Sequence, residues 1–267
     1  MRGRWLELIA PLLILAGAIV LKTADPPALQ HVRYVVFDWF QRLDPRPYAE
    51  DVPVRIVDID DASLERLGQW PWPRTRVAHL IDRLNEMGAA VIAFDVVFAE
   101  ADRTSPAQVL PLWRDRIDAE TAAPILEALP DHDQVMAAAV AAAPVVTGFI
   151  LVEDKTARQP ALKAGMATAG DDPRPFIAPY AGAIVNIAPI EAAARGNGHF
   201  NQTPEHDGIL RRVPVFLRLG DRIYPSLAAE ALRVAQEARG YIVRSSGASG
   251  ETAFGQATGI NSVRIGN

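Results

Sequence analysis

The chain contains no cysteine, so disulfide staples, thiolate nucleophiles and cysteine-ligated zinc are excluded. That absence suits the cytoplasm or an exported domain that folds without disulfides. A basic excess is missing too: 27 Lys and Arg stand against 32 Asp and Glu, for a net charge of −5. Such a balance leaves no electrostatic footprint for nucleic acid. Neither an internal repeat nor a glycine-rich phosphate loop, a kinase motif set or a cyclase metal pair occurs. The five histidines show no metal-ligand spacing, and neither a metal nor a cofactor is expected. What remains is ordinary globular composition, 49% hydrophobic and 22% charged over 267 residues. That is enough for one large domain or two small ones.

One long uncharged run does occur. Leu8–Leu21 (LIAPLLILAGAIVL) is interrupted only by Pro11. As a helix it would reach about 21 Å, and about 25 Å from Trp5, against a hydrocarbon core of roughly 30 Å. Arg2 and Arg4 precede it, which orients the N-terminus inward and exports the rest. The reading favoured is an uncleaved transmembrane anchor over residues 1–22. A cleaved signal peptide is the rival, with Ala16-Gly17-Ala18 as its small-residue site. After Asp25-Pro26-Pro27, helical spacing of Leu29, Val32, Val36, Trp39, Phe40 and Leu43 predicts a juxtamembrane stalk helix over 28–44. Residues 50–267 then form the exported domain.

Within that domain two tracts carry most of the information: Val54–Arg74 (VRIVDIDDASLERLGQWPWPR) and Ala90–Asp102 (AVIAFDVVFAEAD). In each, a strand-like apolar run delivers carboxylates. Between them Val77, Leu80, Ile81 and Leu84 make a helical stripe from Pro73 to Met87. The expected fold is therefore α/β, a mixed sheet with a βαβ core, preceded by the transmembrane and juxtamembrane helices. Open α/β sheets place ligands at strand carboxyl ends. Further on, residues 103–133 read as an insertion, Gln134–Ala143 as a helix and Val145–Val152 as a strand. Lys155–Pro175 reads as a loop and Ala183–Ile187 as a strand. Phe200 to Leu219 reads as two strands joined at Asp207-Gly208, followed by a helix Leu227–Arg239 capped by Ser226.

Three chemistries compete for the acids. Asp58-Ile59-Asp60 could be the nucleophile and acid/base of a magnesium phosphohydrolase, but Ala62 stands where such enzymes expect Thr or Val, and no lysine is placed for the phosphate. Hard-ligand metal binding by Asp60, Asp61, Asp95, Glu100 and Asp102 lacks a defined loop spacing. Structural pairing ranks first. Asp95 interrupts an apolar strand, so it should be partly buried and paired with Arg74 or Arg76. Trp70-Pro71-Trp72-Pro73 gives a rigid aromatic lead-in to the helix.

DIDDASLERLGQWPWPR, HLIDRLNEMGAAVIAFDVVFAEAD, GHFNQTPEHDGILRRVP and YPSLAAEALR together resemble the CHASE-class extracellular sensory domain, type two. The resemblance runs from about Leu29 to the end. It implies a bacterial, periplasmic or extracellular signal-input domain of a membrane receptor, anchored in the inner membrane with everything after about Lys22 outside. It further implies later membrane helices and a cytoplasmic output, a nucleotide cyclase more than a protein kinase, so this chain is read as C-terminally incomplete and not itself an enzyme. Expected partners are the membrane, a small-molecule or protein signal and a second copy in a homodimer, with no nucleic acid. The candidate ligand-binding set is Asp60, Asp61, Trp70, Trp72, Arg74, Asp95, Asp102, Asp207 and Arg211. A dimerisation module without a ligand is the remaining alternative.

Overall fold

The computed structural model describes residues 2–47, 49, 51–113, 124, 128–248 and 259–266. The chain divides into two compact units, Met1–Asp60 and Asp61–Asn267.

The first unit holds helices α1 (Arg2–Ala24) and α2 (Pro27–Leu43). The break falls where Asp25 takes a positive φ of 39° and Pro26-Pro27 cannot continue the helical hydrogen bonds. Among the described residues no single helix is long and apolar enough to cross a membrane. The segments Pro11–Ala24 and Pro27–Leu43, bent by 82°, meet that length and composition only as a pair. The tract Val54–Asp60, expected as the first strand of the βαβ unit, forms no strand. Val54, Ile56 and Val57 are 68%, 90% and 55% exposed. Apolar alternation makes a strand only where a ladder partner takes up its backbone groups, and none does so here among the described residues.

Among the described residues the second unit is a mixed α/β assembly of three sheets. Helices α3 (Asp61–Leu67) and α4 (Arg74–Glu86) open it. Strand β1 (Ile92–Ala93), helix α5 (Pro106–Trp113), helix α6 (His132–Ala142) and strand β2 (Val145–Val152) follow. Strand β1 runs parallel to β2, so a β–α–β crossover does exist, but over residues 92–152 and not around α4. Then come β3 (Gly165–Ala169), a 3-10 turn at Arg174–Phe176, β4 (Pro179–Tyr180), β5 (Gly182–Ile184) and α7 (Ala188–Ala193). Strand β6 (Gly196–His199), the hairpin β7 (Phe216–Leu219) and β8 (Arg222–Pro225), α8 (Leu227–Ala235), β9 (Gly240–Ser245) and β10 (Ile260–Ile265) complete the unit.

Strand β2 is the hub. It pairs parallel with β1 and β6 and antiparallel with β5. Its near-continuous apolar run is what a strand covered on both faces requires. A second sheet orders β10-β9-β3 and a third β4-β7-β8. The α4 stripe of Val77, Ala78 and Ile81 packs with Met136 and Val140 of α6, and with Ile92, Phe98 and Val145. A second cluster joins Phe149 and Leu151 to Leu217, Leu219 and Tyr224.

Local signals explain several boundaries. Asp131 caps α6 by accepting from the Asp133 and Gln134 amides at 2.8 and 3.3 Å. Ser226 caps α8 as expected, accepting from the Ala229 amide at 3.3 Å, although the helix stops at Ala235. Four expectations need correction. Of the tract Ala90–Asp102 only Ile92–Ala93 is strand, because after Phe94 donates to the Val146 carbonyl (3.0 Å) the tract finds no further ladder partner among the described residues. The loop assigned to 155–175 contains β3. No ladder joins residues 200–205 to those after Gly208, and the hairpin lies instead at β7–β8, turning at Gly220 with φ 58°. The sequence from Tyr241 on, polar and glycine-rich with short apolar runs, reads as no regular element, yet β10 and all but the first residue of β9 lie in it.

The hub tolerates no side chain at Gly148. A Cβ there would sit 2.4 Å from the Phe94 carbonyl oxygen and 2.5 Å from the Phe200 ring. Gly148→Ala should destabilise the fold by about 1–3 kcal/mol as an overpacking change. Gly165→Ala, whose Cβ would meet nothing nearer than 3.8 Å, should be close to neutral. Denaturant unfolding of the two variants checks both.

Candidate functional site

The WPWPR segment becomes the entrance of α4. Pro73 sets the N-terminal turn but offers no capping side chain. Asp102, 28 residues on, supplies it: its Oδ2 accepts from the Arg74 amide at 2.7 Å. A carboxylate at a helix N-terminus satisfies an orphan donor and complements the helix dipole. The other oxygen of Asp102 accepts from the Thr104 amide and hydroxyl, each at 2.8 Å. The Asp102 amide in turn donates to Asp133 Oδ2 at 3.0 Å, in the first turn of α6. Loop 98–105 thus buckles the starts of α4 and α6 together.

Arg74 lies at the centre of this buckle. Its guanidinium stacks over the Phe98 ring at 4.4 Å, and one terminal nitrogen donates to the Glu100 carbonyl at 3.3 Å. Its Nε stands 3.5 Å from Asp133 Oδ1, yet both atoms are buried without a hydrogen bond. Burial lowers the Arg74 pKa, with Asp133 and Asp102 opposing. Burial also raises Asp133, which the Asp102 amide and Arg74 only partly offset. At Asp102 burial pushes upward too. The Arg74 and Thr104 amides, the Thr104 hydroxyl and His132 outweigh it and hold the carboxyl below its ordinary range. Trp72 is buried, donates its indole N–H to the Gly68 carbonyl at 2.6 Å and meets Trp70 edge-on at 5.7 Å.

The structure therefore brings together Trp70, Trp72, Arg74 and Asp102. Within the second unit it does not gather Asp61, Asp95, Asp207 and Arg211 with them. Asp60 belongs to the first unit and Asp61 is exposed in the first turn of α3. Asp95 is exposed and not half-buried against Arg74 or Arg76, because β1 ends two residues before it and the Arg74 guanidinium is turned to Asp133, the Glu100 carbonyl and the Phe98 ring. Asp207 and Arg211 form their own clasp on the Asp-Gly turn. Arg211 donates to Asp207 Oδ1 and Oδ2 at 2.9 and 2.7 Å and to Glu205 at 3.0 Å. Those bonds, above all, hold Asp207 down to about 2.

Three buried features escaped the sequence reading. Asp133 gave only the signal of an acid opening an alanine-rich helix. Glu230 and Arg233 are an i,i+3 charge pair set in the apolar run LAAEALRVA, and both are buried. His199 is wholly buried on β6, beside Phe149, with both ring nitrogens lacking a partner, and burial lowers its pKa to about 4. An open groove of about 620 Å³ lies elsewhere, lined by Leu162, Met166, Arg174, Asp221, Arg222 and Ile223. Among the described residues no group of three or more His, Cys, Asp or Glu side chains could hold a metal ion.

Helices pack against mixed sheets, and the buried charges are engaged mainly by one another, Arg74 with Asp133 and Glu230 with Arg233. A family model, the CHASE2 domain, matches residues 12–265, and the chain belongs to that family. CHASE2 is an extracellular sensory domain of signalling receptors, non-catalytic, so the phosphohydrolase reading of Asp58 and Asp60 is set aside. No curated protein and no solved structure matches the chain.

Two measurements test this geometry. Asp102→Ala removes the acceptor shared by the Arg74 and Thr104 amides and strands buried donors, so it should cost about 1–3 kcal/mol, whereas Asp95→Asn at an exposed position should stay within about 0.5 kcal/mol. For His199 the folded pKa lies below the unfolded value, so the unfolded chain takes up the proton first on acidification. Stability should be intact above pH 6.5 and fall by about 3 kcal/mol by pH 4 from this group. His199→Phe should flatten that part of the pH profile in thermal unfolding.

Proposed function

We propose that the protein is the signal-input part of a bacterial membrane receptor, anchored in the inner membrane by α1, with residues after about Lys22 in the periplasm and a nucleotide cyclase as its output. The observation that carries this reading is the family match, which begins at residue 12 inside the uncharged run of α1 and continues to residue 265. Arg2 and Arg4 ahead of that run favour an inward N-terminus. The signal, a small molecule or a protein segment, is received at the α4 entrance formed by Trp70, Trp72, Arg74 and Asp102. Support comes from the unspent hydrogen-bonding capacity of Arg74 Nε and Asp133 Oδ1. A ligand that favours one arrangement of this buckle would shift α4 against α6, and a homodimer would pass the shift on by differential affinity for two states.

The gene's whole product, expressed in membranes, should convert ATP or GTP to the cyclic nucleotide. Autophosphorylation without cyclic nucleotide would overturn the cyclase assignment while leaving the sensory one. Ligands found by thermal shift on the wild-type chain should lose about 1.4 kcal/mol or more of binding, tenfold in Kd, in folded Trp72→Ala. An unchanged Kd in that variant places reception elsewhere.

A further inference from the structure

We propose that α2 lies in the plane of the bilayer surface, with its apolar face in the boundary between headgroups and acyl chains. The inference rests on the anchoring of α1 proposed above and extends it to a second helix. At 3.6 residues per turn, Leu29, Val32, Val35, Val36, Trp39, Phe40 and Leu43 share one arc of α2, with Arg33 and Arg42 at its two edges, and Gln30, Tyr34, Phe37, Asp38 and Gln41 lie on the other side. None of the helix is buried. Val32, Trp39, Phe40 and Leu43 are between 55% and 60% exposed, and Val36 is 45% exposed. A face this wide and apolar requires a cover.

The elbow with α1 identifies the cover. Leu12, Leu13, Ile14, Leu15, Ile19 and Val20 of α1 are all exposed, which makes that helix apolar on every side, and lipid is the medium such a helix fits. Only Asp25 and Pro26 separate it from α2, and the two helices are bent by 82°. Asp25 clamps the bend: Gln30 donates to its carbonyl at 2.9 Å and to its carboxylate at 3.1 Å, and Arg33 pairs with the same carboxylate. A helix leaving a membrane-crossing segment at nearly a right angle runs parallel to the surface. Its composition suits that depth. Of the chain's 19 aromatic residues, Tyr34, Phe37, Trp39 and Phe40 fall within these 17 positions, and amphipathic rings concentrate at the headgroup level.

A second copy of α2 is the competing cover, because Leu29, Val32, Val36, Trp39 and Leu43 also follow heptad spacing. That seam covers about two heptads, short of the three or four that sustain a coiled coil, and it leaves Val35 and Phe40 outside it. Lipid covers the whole arc.

The absence of cysteine permits a direct test on the full chain. Leu15→Cys, Val36→Cys and Gln41→Cys, each carrying a nitrobenzoxadiazole label, are reconstituted in vesicles of phosphatidylcholine and phosphatidylglycerol containing doxyl-labelled lipid. Quenching at Val36 should exceed that at Gln41 by about twofold or more with a shallow doxyl group, while Leu15 is quenched best by a deep one. Leu15 quenched with both α2 labels unquenched would overturn the in-plane helix and leave the anchor. Both α2 labels quenched best by the deep group would overturn it in favour of a broken span. Lipid-independent self-quenching at Val36, relieved by unlabelled chain, would overturn it in favour of a dimer seam. An unquenched Leu15 would overturn the anchor and, with it, this proposal.

Discussion

The carboxylate of Glu230 is fully buried, and much of the second unit is arranged around that fact. A lone charge in such a place would be too costly to keep, so it must be surrounded by donors. Arg233 supplies two, from Nε at 2.9 Å and from a terminal nitrogen at 2.7 Å. The Tyr241 hydroxyl adds a third at 2.6 Å and the Asn197 amide a fourth at 3.4 Å. These donors come from α8, β9 and β6, so one acceptor fastens the hub sheet to the sheet of β9 and β10. Arg233 directs two further N–H groups to the Ala238 and Arg195 carbonyls. Glu230 raises the Arg233 pKa, and burial followed by the same carboxylate raises Tyr241, so each partner keeps its proton.

The Arg74–Asp102–Asp133 buckle is the second such device, and it differs in one respect. The Glu230 cluster leaves none of its named polar atoms unpaired, whereas the buckle retains a buried Arg74 Nε and Asp133 Oδ1 facing one another without a hydrogen bond. A fully satisfied network rigidifies, while a partly satisfied one has an arrangement still to gain. In the proposed reading the first cluster is the fixed frame and the second, at the entrance of α4, the receiver.

Legibility in the sequence followed the range of the interaction. The stripe of α4, the Ser226 cap, the body of α6 and the strand β2 were readable because propensity, capping and periodicity act within a few residues. Val54–Asp60 looks equally strand-like, yet a strand exists only with a ladder partner, and no local signal reports one. Strands β3 and β9 failed in the opposite direction: their parallel pairing, Gly165 with Gly240 through Ala169 with Arg244, makes strands from weakly patterned sequence. The site divided the same way. Trp72, Arg74 and Asp102 were legible as a motif. Asp133 was not, since its partner, the Asp102 amide, lies 31 residues away, and the local Glu230–Arg233 pair did not show its burial, which depends on Tyr241 and Asn197, 11 and 33 residues off. Asp95 misled because an acid amid apolar residues implies burial only if the strand reaches it, and β1 ends too soon.

The family places this domain outside the cell, and on that placement the account of its two clusters as frame and receiver depends. The most direct measurement is the reactivity of an Asp95→Cys variant, at an exposed position in a chain with no other cysteine, toward a membrane-impermeant maleimide. Cells with only the outer membrane permeabilised should label fully, with no increase on lysis. Labelling that appears only after the inner membrane is broken would contradict the account.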